Sequence, residues 1–74
     1  MNLQFVETDD GTCPVPICGE EIDLANYFSP TQIGLGAKNN ARDVIYCDHC
    51  GRRIEIQLSL YRGWKIKIHA RAAI

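Results

Sequence analysis

The chain has 74 residues, enough for one small domain whose apolar core is marginal without a disulfide, a metal ion or a partner. Its formal net charge of −1 excludes a strong long-range attraction of the whole chain to nucleic acid. Residues 1–10 lack the features of a signal peptide, and no apolar run is long enough to span a bilayer. We therefore expect a single domain, residues 1–74, located in the cytoplasm and without a membrane contact.

The charges are unevenly distributed along the chain. Residues 1–40 carry six acidic side chains and one lysine, whereas residues 41–74 carry seven basic and three acidic side chains. The two parts therefore have formal charges of −5 and +4, which add to −1. Segregation of this kind indicates a polar binding surface.

The residues before position 25 predict short, irregular elements. Weak alternation over residues 3–7 predicts a strand, and Asp9-Asp10-Gly11 predicts a turn. Prolines at positions 14 and 16 fix the backbone φ and remove two N–H donors, so residues 13–18 should form a rigid loop. Residues 20–24 could form a second short strand.

Between residues 25 and 42 the sequence indicates only one element, a short helix. Ser29-Pro30-Thr31-Gln32 has the form of a capping box with proline at the first helical position. Gly36 should end this helix, and the path of the remaining residues stays open. Residues 42–46 then predict a strand that leads into the second cysteine pair.

The strongest signal in the chain is the alternation of apolar and polar residues after position 53. Two runs of period two, at about 54–60 and 64–70, predict two half-buried strands of a β-hairpin. The apolar positions of the two runs are Ile54, Ile56, Leu58, Leu60, Trp64, Ile66, Ile68 and Ala70. This phase assigns Trp64 to the core.

The apolar pattern also predicts a register for the hairpin. If Leu60 pairs with Trp64, apolar residues oppose apolar residues along both strands. The loop is then residues 61–63, with Gly63 at the position that requires a left-handed backbone. In this register His69 lies opposite Glu55.

The four cysteines form two pairs, each followed by glycine. We call residues 13–19 the first cysteine loop and residues 47–51 the second cysteine loop. In a reducing compartment such pairs indicate a metal site more often than a disulfide, and four thiolates suit one structural zinc ion. The predicted metal ligands are Cys13, Cys18, Cys47 and Cys50.

Other uses of the cysteines remain open. A site of four thiolates also suits iron, Cys47 and Cys50 could form a redox pair, and disulfides are a further alternative. His49 could replace a thiolate, but four cysteines already complete the tetrahedral shell, so we expect an exposed loop residue.

A closed site of four thiolates leaves no coordination position for water or substrate, which argues against metal catalysis. The sequence contains no Ser/His/Asp constellation, no phosphate-binding glycine loop and no carboxylate pair in an apolar setting. We therefore expect neither catalytic residues nor a small-molecule substrate, and we do not expect an enzyme.

Cys13-Pro14…Cys18-Gly19 and Cys47-Asp48-His49-Cys50-Gly51, followed by a hairpin, resemble the zinc-ribbon family. The first cysteine loop departs from that family. Zinc ribbons usually have two residues between the cysteines of this pair, whereas Cys13 and Cys18 have four. The longer loop could splay the site or present Val15 and Ile17 outward. Treble-clef fingers are the nearest rival, but they would place a helix after the second cysteine loop, where this sequence predicts a strand.

The resemblance implies a small, metal-stapled, mainly β fold: a zinc ribbon with a three-stranded antiparallel sheet. It also implies binding to nucleic acid or protein, since zinc ribbons occur in transcription and translation proteins. Transcript-cleavage ribbons carry an acidic pair at the hairpin tip, whereas this chain has Tyr61-Arg62-Gly63. That activity is therefore not expected.

The polar face of the predicted hairpin is rich in basic residues and has an aromatic residue near its end. This combination suits phosphate contacts and base stacking, although lysines on an outer strand face also serve to discourage edge pairing. The predicted nucleic-acid-binding residues are Arg53, Tyr61, Arg62, Lys65, Lys67, His69 and Arg71.

Two functions from different classes are compatible with the sequence. The first is a small structural-zinc protein that binds nucleic acid and regulates transcription or translation. The second is a protein–protein interaction module, an adaptor or a small inhibitor of a larger complex such as a phage might encode. Its surface would include Tyr27, Phe28 and Ile33, and exposure of these side chains would favour it.

Overall fold

We describe residues 4–73 from a computed structural model of the chain. The regular elements are β1 (Phe5–Thr8), a 3-10 turn (Leu24–Asn26), α1 (Pro30–Lys38), β2 (Arg42–Tyr46), β3 (Arg53–Tyr61) and β4 (Lys65–Ala73). The strands form one antiparallel sheet in the order β1-β4-β3-β2. Within these residues, no helix has the length and apolar character needed to cross a bilayer.

The sheet has four strands, so the expectation of three strands is wrong. The additional strand is β1, which pairs with residues 70–73 of β4. It corresponds to the strand predicted at residues 3–7, of which Leu3 lies outside the described residues. A resemblance based on the cysteines and the hairpin carries no information about where this distant segment docks.

The predicted hairpin is present, but its strands are longer than 54–60 and 64–70 and its register differs. Leu60 pairs with Ile66 rather than with Trp64, a shift of two positions. A shift of two keeps every side chain on the same face, so alternation alone cannot distinguish the two registers. The loop becomes residues 62–64, and His69 lies opposite Gln57 instead of Glu55.

The turn geometry explains why the loop moves by one residue. Arg62 and Gly63 both have positive φ, 58° and 80°, and the Trp64 N–H donates to the Tyr61 carbonyl at 3.4 Å. The left-handed position predicted for Gly63 is confirmed. Trp64 lies in the turn and is 75% exposed, so the prediction that it belongs to the core is wrong.

One face of the sheet carries the core. Its buried side chains on β3 and β4 are Ile54, Ile56, Leu58, Ala70 and Ala72, in agreement with the alternation. The helix α1 packs across β3 where a Cβ at Gly36 would lie only 3.2 Å from Leu58 Cδ1. The absence of a side chain at position 36 therefore allows the close approach.

The predicted helix is present and extends past Gly36 to Lys38. Its capping box forms as expected: Ser29 Oγ accepts from the Gln32 N–H, and Gln32 Oε1 accepts from the Ser29 N–H at 2.8 Å. Asn39 is the C-cap residue, and the following Asn40 adopts a positive φ of 53°.

The possible strand at residues 20–24 is not formed. Only Glu21 makes a β-bridge, with Thr12, and the 3-10 turn follows directly. Asp23 begins this turn, because its carboxylate accepts a hydrogen bond from the Ala25 N–H at 3.0 Å. A capping side chain therefore replaces strand pairing here.

Candidate metal centre

The four cysteine sulfurs converge on one point, and all lie within 4.8 Å of one another. The Sγ atoms of Cys13 and Cys50 are 3.8 Å apart, and those of Cys18 and Cys47 are 3.7 Å apart. Thiolates at about 2.3 Å from a tetrahedral zinc ion have sulfur–sulfur distances of about 3.8 Å. The cluster therefore has the donor set and the dimensions of a metal site with four thiolate ligands.

Each cysteine loop is closed by a backbone hydrogen bond, and the two bonds join equivalent positions of the loops. The Cys13 N–H donates to the Glu20 carbonyl at 2.7 Å, and the Cys47 N–H donates to the Arg52 carbonyl at 3.0 Å. In each loop the acceptor lies two residues after the second cysteine. The intervening glycines, Gly19 and Gly51, have φ values of 64° and 72°, which other residues rarely adopt.

The first cysteine loop accommodates its two additional residues without splaying the site. The Val15 carbonyl accepts from the Gly19 N–H, four residues later, as the Cys47 carbonyl accepts from the Gly51 N–H. Val15 thus has the backbone role that Cys47 has in the second loop. Its side chain is buried in the core, contrary to the outward orientation considered from the sequence, whereas Ile17 does project and is 88% exposed.

The electrostatic environments of the thiols differ. Burial raises the pKa of the Cys13 thiol to about 12, and only the Val15 N–H acts in the opposite direction. Burial also raises the pKa of Cys47, but the N–H groups of Cys50 and His49 donate to its sulfur and lower the pKa to about 7. A metal ion must therefore displace a proton from Cys13, since thiolates are the ligands.

The 3-10 turn and the residue after it support the second cysteine loop. Tyr27 Oη accepts a hydrogen bond from the Asp48 N–H at 2.9 Å, and Asn26 Nδ2 donates to Asp48 Oδ2 at 3.2 Å. Tyr27 packs partly against the core. Sequence reasoning missed this role, because no local pattern connects residues 26 and 27 with residue 48.

The alternatives to a site of four thiolate ligands, which are disulfides, a redox-active cysteine pair and coordination by His49, fit the geometry less well. The closest sulfur pairs, at 3.7 and 3.8 Å, are far beyond the disulfide bond length of about 2.05 Å, and all four cysteines are free. Cys47 follows β2 and Cys50 precedes β3, so neither lies at the helix N-terminus typical of a thioredoxin-type thiol. His49 is exposed, as expected for a loop residue.

The residues predicted to bind nucleic acid lie on the polar face of the hairpin and in its turn, but most of the basic side chains are paired. Arg53 and Arg71 contact Glu55, and hydrogen bonding from Arg71 holds the pKa of Glu55 below its usual range. Lys67 lies 3.8 Å from Asp9, and His69 lies 3.8 Å from Glu7. The pairs with Glu7 and Asp9 depend on the docking of β1 beside β4, and the Glu55–Arg71 pair depends on the observed register. The sequence predicted neither the docking nor the register.

The end of the hairpin, residues 60–66, is different, and we call it the hairpin tip. Within residues 4–73, Arg62 and Lys65 have no carboxylate within 4.0 Å. The Arg62 guanidinium lies 5.3 Å from the centre of the Tyr61 ring, and Tyr61 is itself 48% exposed. Among the cations predicted to bind nucleic acid, Arg62 and Lys65 are therefore the two without an ion-pair partner in the described chain, and they lie next to an exposed aromatic side chain.

Comparison with known proteins adds no relative to these observations. The chain matches no family model, and it finds no significant match among curated proteins or solved structures. The inferences below therefore rest on the cysteine cluster, the sheet and the surface of this chain.

Proposed function

We propose that the chain is a structural-zinc module of the zinc-ribbon type that binds nucleic acid through the hairpin tip. The metal part of this proposal is supported by the sulfur–sulfur distances and the two equivalent cysteine loops. Zinc is the preferred ion because four thiolates in a closed tetrahedral set are its usual structural ligands. Iron is the competing ion for the same donor set.

The identity of the metal is testable by elemental analysis. Protein purified without added metal should contain one zinc ion per chain, and a chelator that removes it should unfold the domain. Iron in place of zinc would contradict the choice of ion but not the site. A folded protein that binds neither ion would contradict the site itself.

The nucleic-acid part of the proposal is carried by one observation: Arg62 and Lys65 lie beside exposed Tyr61 and have no ion-pair partner among residues 4–73. Phosphate binding needs cations that are not already neutralised. This requirement moves the centre of the proposed surface from the whole polar face to the hairpin tip. Lys67 and His69 follow the tip on β4, whereas Arg71 and Arg53 lie toward the other end of the hairpin.

The sheet topology leaves the hairpin tip accessible. β2 pairs with residues 53–57 of β3, and β1 pairs with residues 70–73 of β4. Within the described chain, residues 60–66 therefore have no strand on either side. A two-stranded ribbon of this kind can approach an extended ligand from its end, although residues 9–11 lie beside Tyr61 and Lys65.

The test is a titration of the zinc-loaded protein with single- and double-stranded RNA and DNA at low and moderate salt. We expect affinity that falls steeply as the salt concentration rises, and loss of most of that affinity in the double variant Arg62→Glu/Lys65→Glu. Lys38→Glu/Arg42→Glu makes the same change in net charge on α1 and β2 and should bind nearly as well as the wild type. Equal loss in both double variants would contradict the assignment to the tip.

The protein–protein alternative receives less support from the surface first considered for it. Tyr27, Phe28 and Ile33 are only partly exposed, because they pack against the core. Absence of nucleic-acid binding at low salt would reject the leading proposal. The same exposed aromatic side chains of the tip would then be the natural anchors for a protein partner.

A further inference from the structure

We propose that the hairpin tip selects single-stranded nucleic acid over duplex, with Trp64 and Tyr61 stacking on unpaired bases. This inference rests on the proposed function and specifies its ligand. It starts from Trp64, which the alternation assigned to the core and the turn places outside it. The structural basis is that residues 61–65 combine two exposed aromatic rings with two cations that have no ion-pair partner in the described chain.

The exposure of Trp64 follows from the backbone of the turn. Positive φ values at Arg62 and Gly63 carry the chain around before β4 begins at Lys65, so Trp64 is not a member of a strand pair. Arginine rarely adopts a left-handed conformation, because its Cβ approaches the following carbonyl. With this turn Trp64 precedes β4 at the end of the ribbon, where its side chain is 75% exposed.

The apolar surface of the tip is larger than one side chain. Leu60 and Ile66 form a cross-strand pair on the core face, and each is 39% exposed at a part of the hairpin with which neither β1 nor β2 pairs. Trp64 in the turn and Tyr61 on the opposite face of β3 add two exposed aromatic side chains within the same seven residues. Exposed apolar groups concentrated in this way and flanked by charges indicate a binding site rather than ordinary surface.

Base stacking distinguishes a single strand from a duplex. In a duplex the faces of the bases are covered by their neighbours, so a protein contacts the groove edges and phosphates. In a single strand the faces are accessible to aromatic side chains, and every base offers one. Trp64 and Tyr61 supply the rings, while Arg62 and Lys65 supply the charge for the adjacent phosphates.

The charge of the tip favours nucleic acid over a protein as the occupant. Tryptophan, tyrosine and arginine are also common in protein interfaces, but lysine is depleted there. Residues 58–68 contain Arg62, Lys65 and Lys67 and no acidic residue. Asp9 and Asp10 border the same surface and Asp9 pairs with Lys67, so the cations available to a phosphate are Arg62 and Lys65. RNA and DNA share the stacking chemistry, so the inference concerns single strands of either kind.

Trp64 is the only tryptophan in the chain, which makes it a direct probe. We expect its fluorescence to be quenched when a short mixed-sequence RNA or DNA single strand is added. The duplex of the same sequence should bind more weakly and quench little. Comparing the RNA and DNA arms shows whether either sugar is preferred.

Substitutions separate stacking from charge. Trp64→Ala should weaken single-strand binding by about 10- to 100-fold, measured by the anisotropy of a labelled oligonucleotide, and Trp64→Phe should recover most of the loss. Tyr46→Ala is the matched control, because Tyr46 is 63% exposed but lies on β2 at the other end of the sheet. It should bind like the wild type, and all variants should retain the wild-type metal content.

Failure of this inference is distinguishable from failure of the proposed function. Duplex binding as tight as single-strand binding, or unchanged affinity in Trp64→Ala, would overturn the stacking inference while salt-dependent binding kept the function. No binding of any nucleic acid at low salt would overturn both.

Discussion

The hydroxyl of Tyr27 accepts a hydrogen bond from the backbone N–H of Asp48 at 2.9 Å, which links the end of the 3-10 turn to the second cysteine loop. Asp48 lies between the two cysteines of that loop. Groups that orient metal ligands without touching the metal commonly affect affinity, because they hold the ligands in a geometry ready for binding. Tyr27 therefore connects the packing of the core with the shape of the metal site.

Tyr27→Phe keeps the ring and removes the acceptor. We expect the affinity for zinc to fall by about 10-fold, within the range seen for groups that support metal ligands. Competition with a chromophoric chelator measures this change. Tyr61→Phe, which alters an exposed tyrosine at the far end of β3 from the cysteines, should leave the zinc affinity unchanged. If the two variants have the same affinity, the Tyr27 hydroxyl has no positioning role.

Removal of one sulfur ligand should unfold the domain. Cys47→Ser lowers the metal affinity, and in domains of this size metal binding supplies a large part of the folding free energy. Circular dichroism and metal analysis of the purified variant provide the readout. Ile17→Ser is the control, because it adds a hydroxyl to the first cysteine loop at a side chain that is already exposed. A Cys47→Ser protein that keeps its fold without metal would show that the core alone is sufficient.

The two glycines of α1 should respond differently to alanine. A Cβ at Gly34 meets nothing within 4 Å, whereas a Cβ at Gly36 lies 3.2 Å from Leu58 Cδ1. Gly34→Ala should therefore stabilise the protein by about 0.5–1 kcal/mol, the helix-propensity gain. At Gly36 the contact with Leu58 should offset that gain, so the variant should be no more stable than the wild type. Denaturant unfolding of the zinc-loaded proteins compares the pair, and equal stabilisation would mean that α1 lies farther from β3.

The cross-strand pair of Glu55 and Arg71 should be visible in a pH titration. Hydrogen bonding from Arg71 lowers the pKa of Glu55, with a smaller effect from Arg53. A lowered pKa means that ionised Glu55 stabilises the fold above its unfolded pKa. This contribution disappears as the pH falls through the lower, folded value.

Arg71→Gln should therefore raise the pKa of Glu55 toward its ordinary value, as followed by NMR of the carboxyl carbon. Lys67→Gln is the control on the same strand, because Lys67 pairs with Asp9 instead. An unchanged titration of Glu55 in Arg71→Gln would argue that the two side chains are not paired in solution.

Several features could be predicted from local sequence because each has a short-range physical cause. The capping box at Ser29 and Gln32 marks a helix N-terminus because two side chains three residues apart satisfy N–H groups of the first turn, and the left-handed backbone at Gly63 follows from the turn it occupies. The four cysteines were identified as one cluster because thiolates in two pairs need a common ion. Alternation correctly identified the buried face of β3.

Other features depended on contacts between distant segments. Alternation repeats every two residues, so it could not choose between Trp64 and Ile66 as the partner of Leu60. The choice of partner determines whether Trp64 belongs to β4 and the core or to the exposed turn. The ion pairs of Lys67 and His69 depend on the docking of β1, which no local pattern encodes.

The amino-acid order alone therefore establishes a small β domain with two cysteine loops, one capped helix and a terminal hairpin, because capping, alternation and ligand chemistry act over a few residues. The folded chain alone establishes the fourth strand, the hairpin register, the support of Asp48 by Tyr27 and the surface formed by the tip. These depend on which distant segments pack together. That choice is set by the summed burial and hydrogen bonding of the whole domain rather than by any one stretch of it.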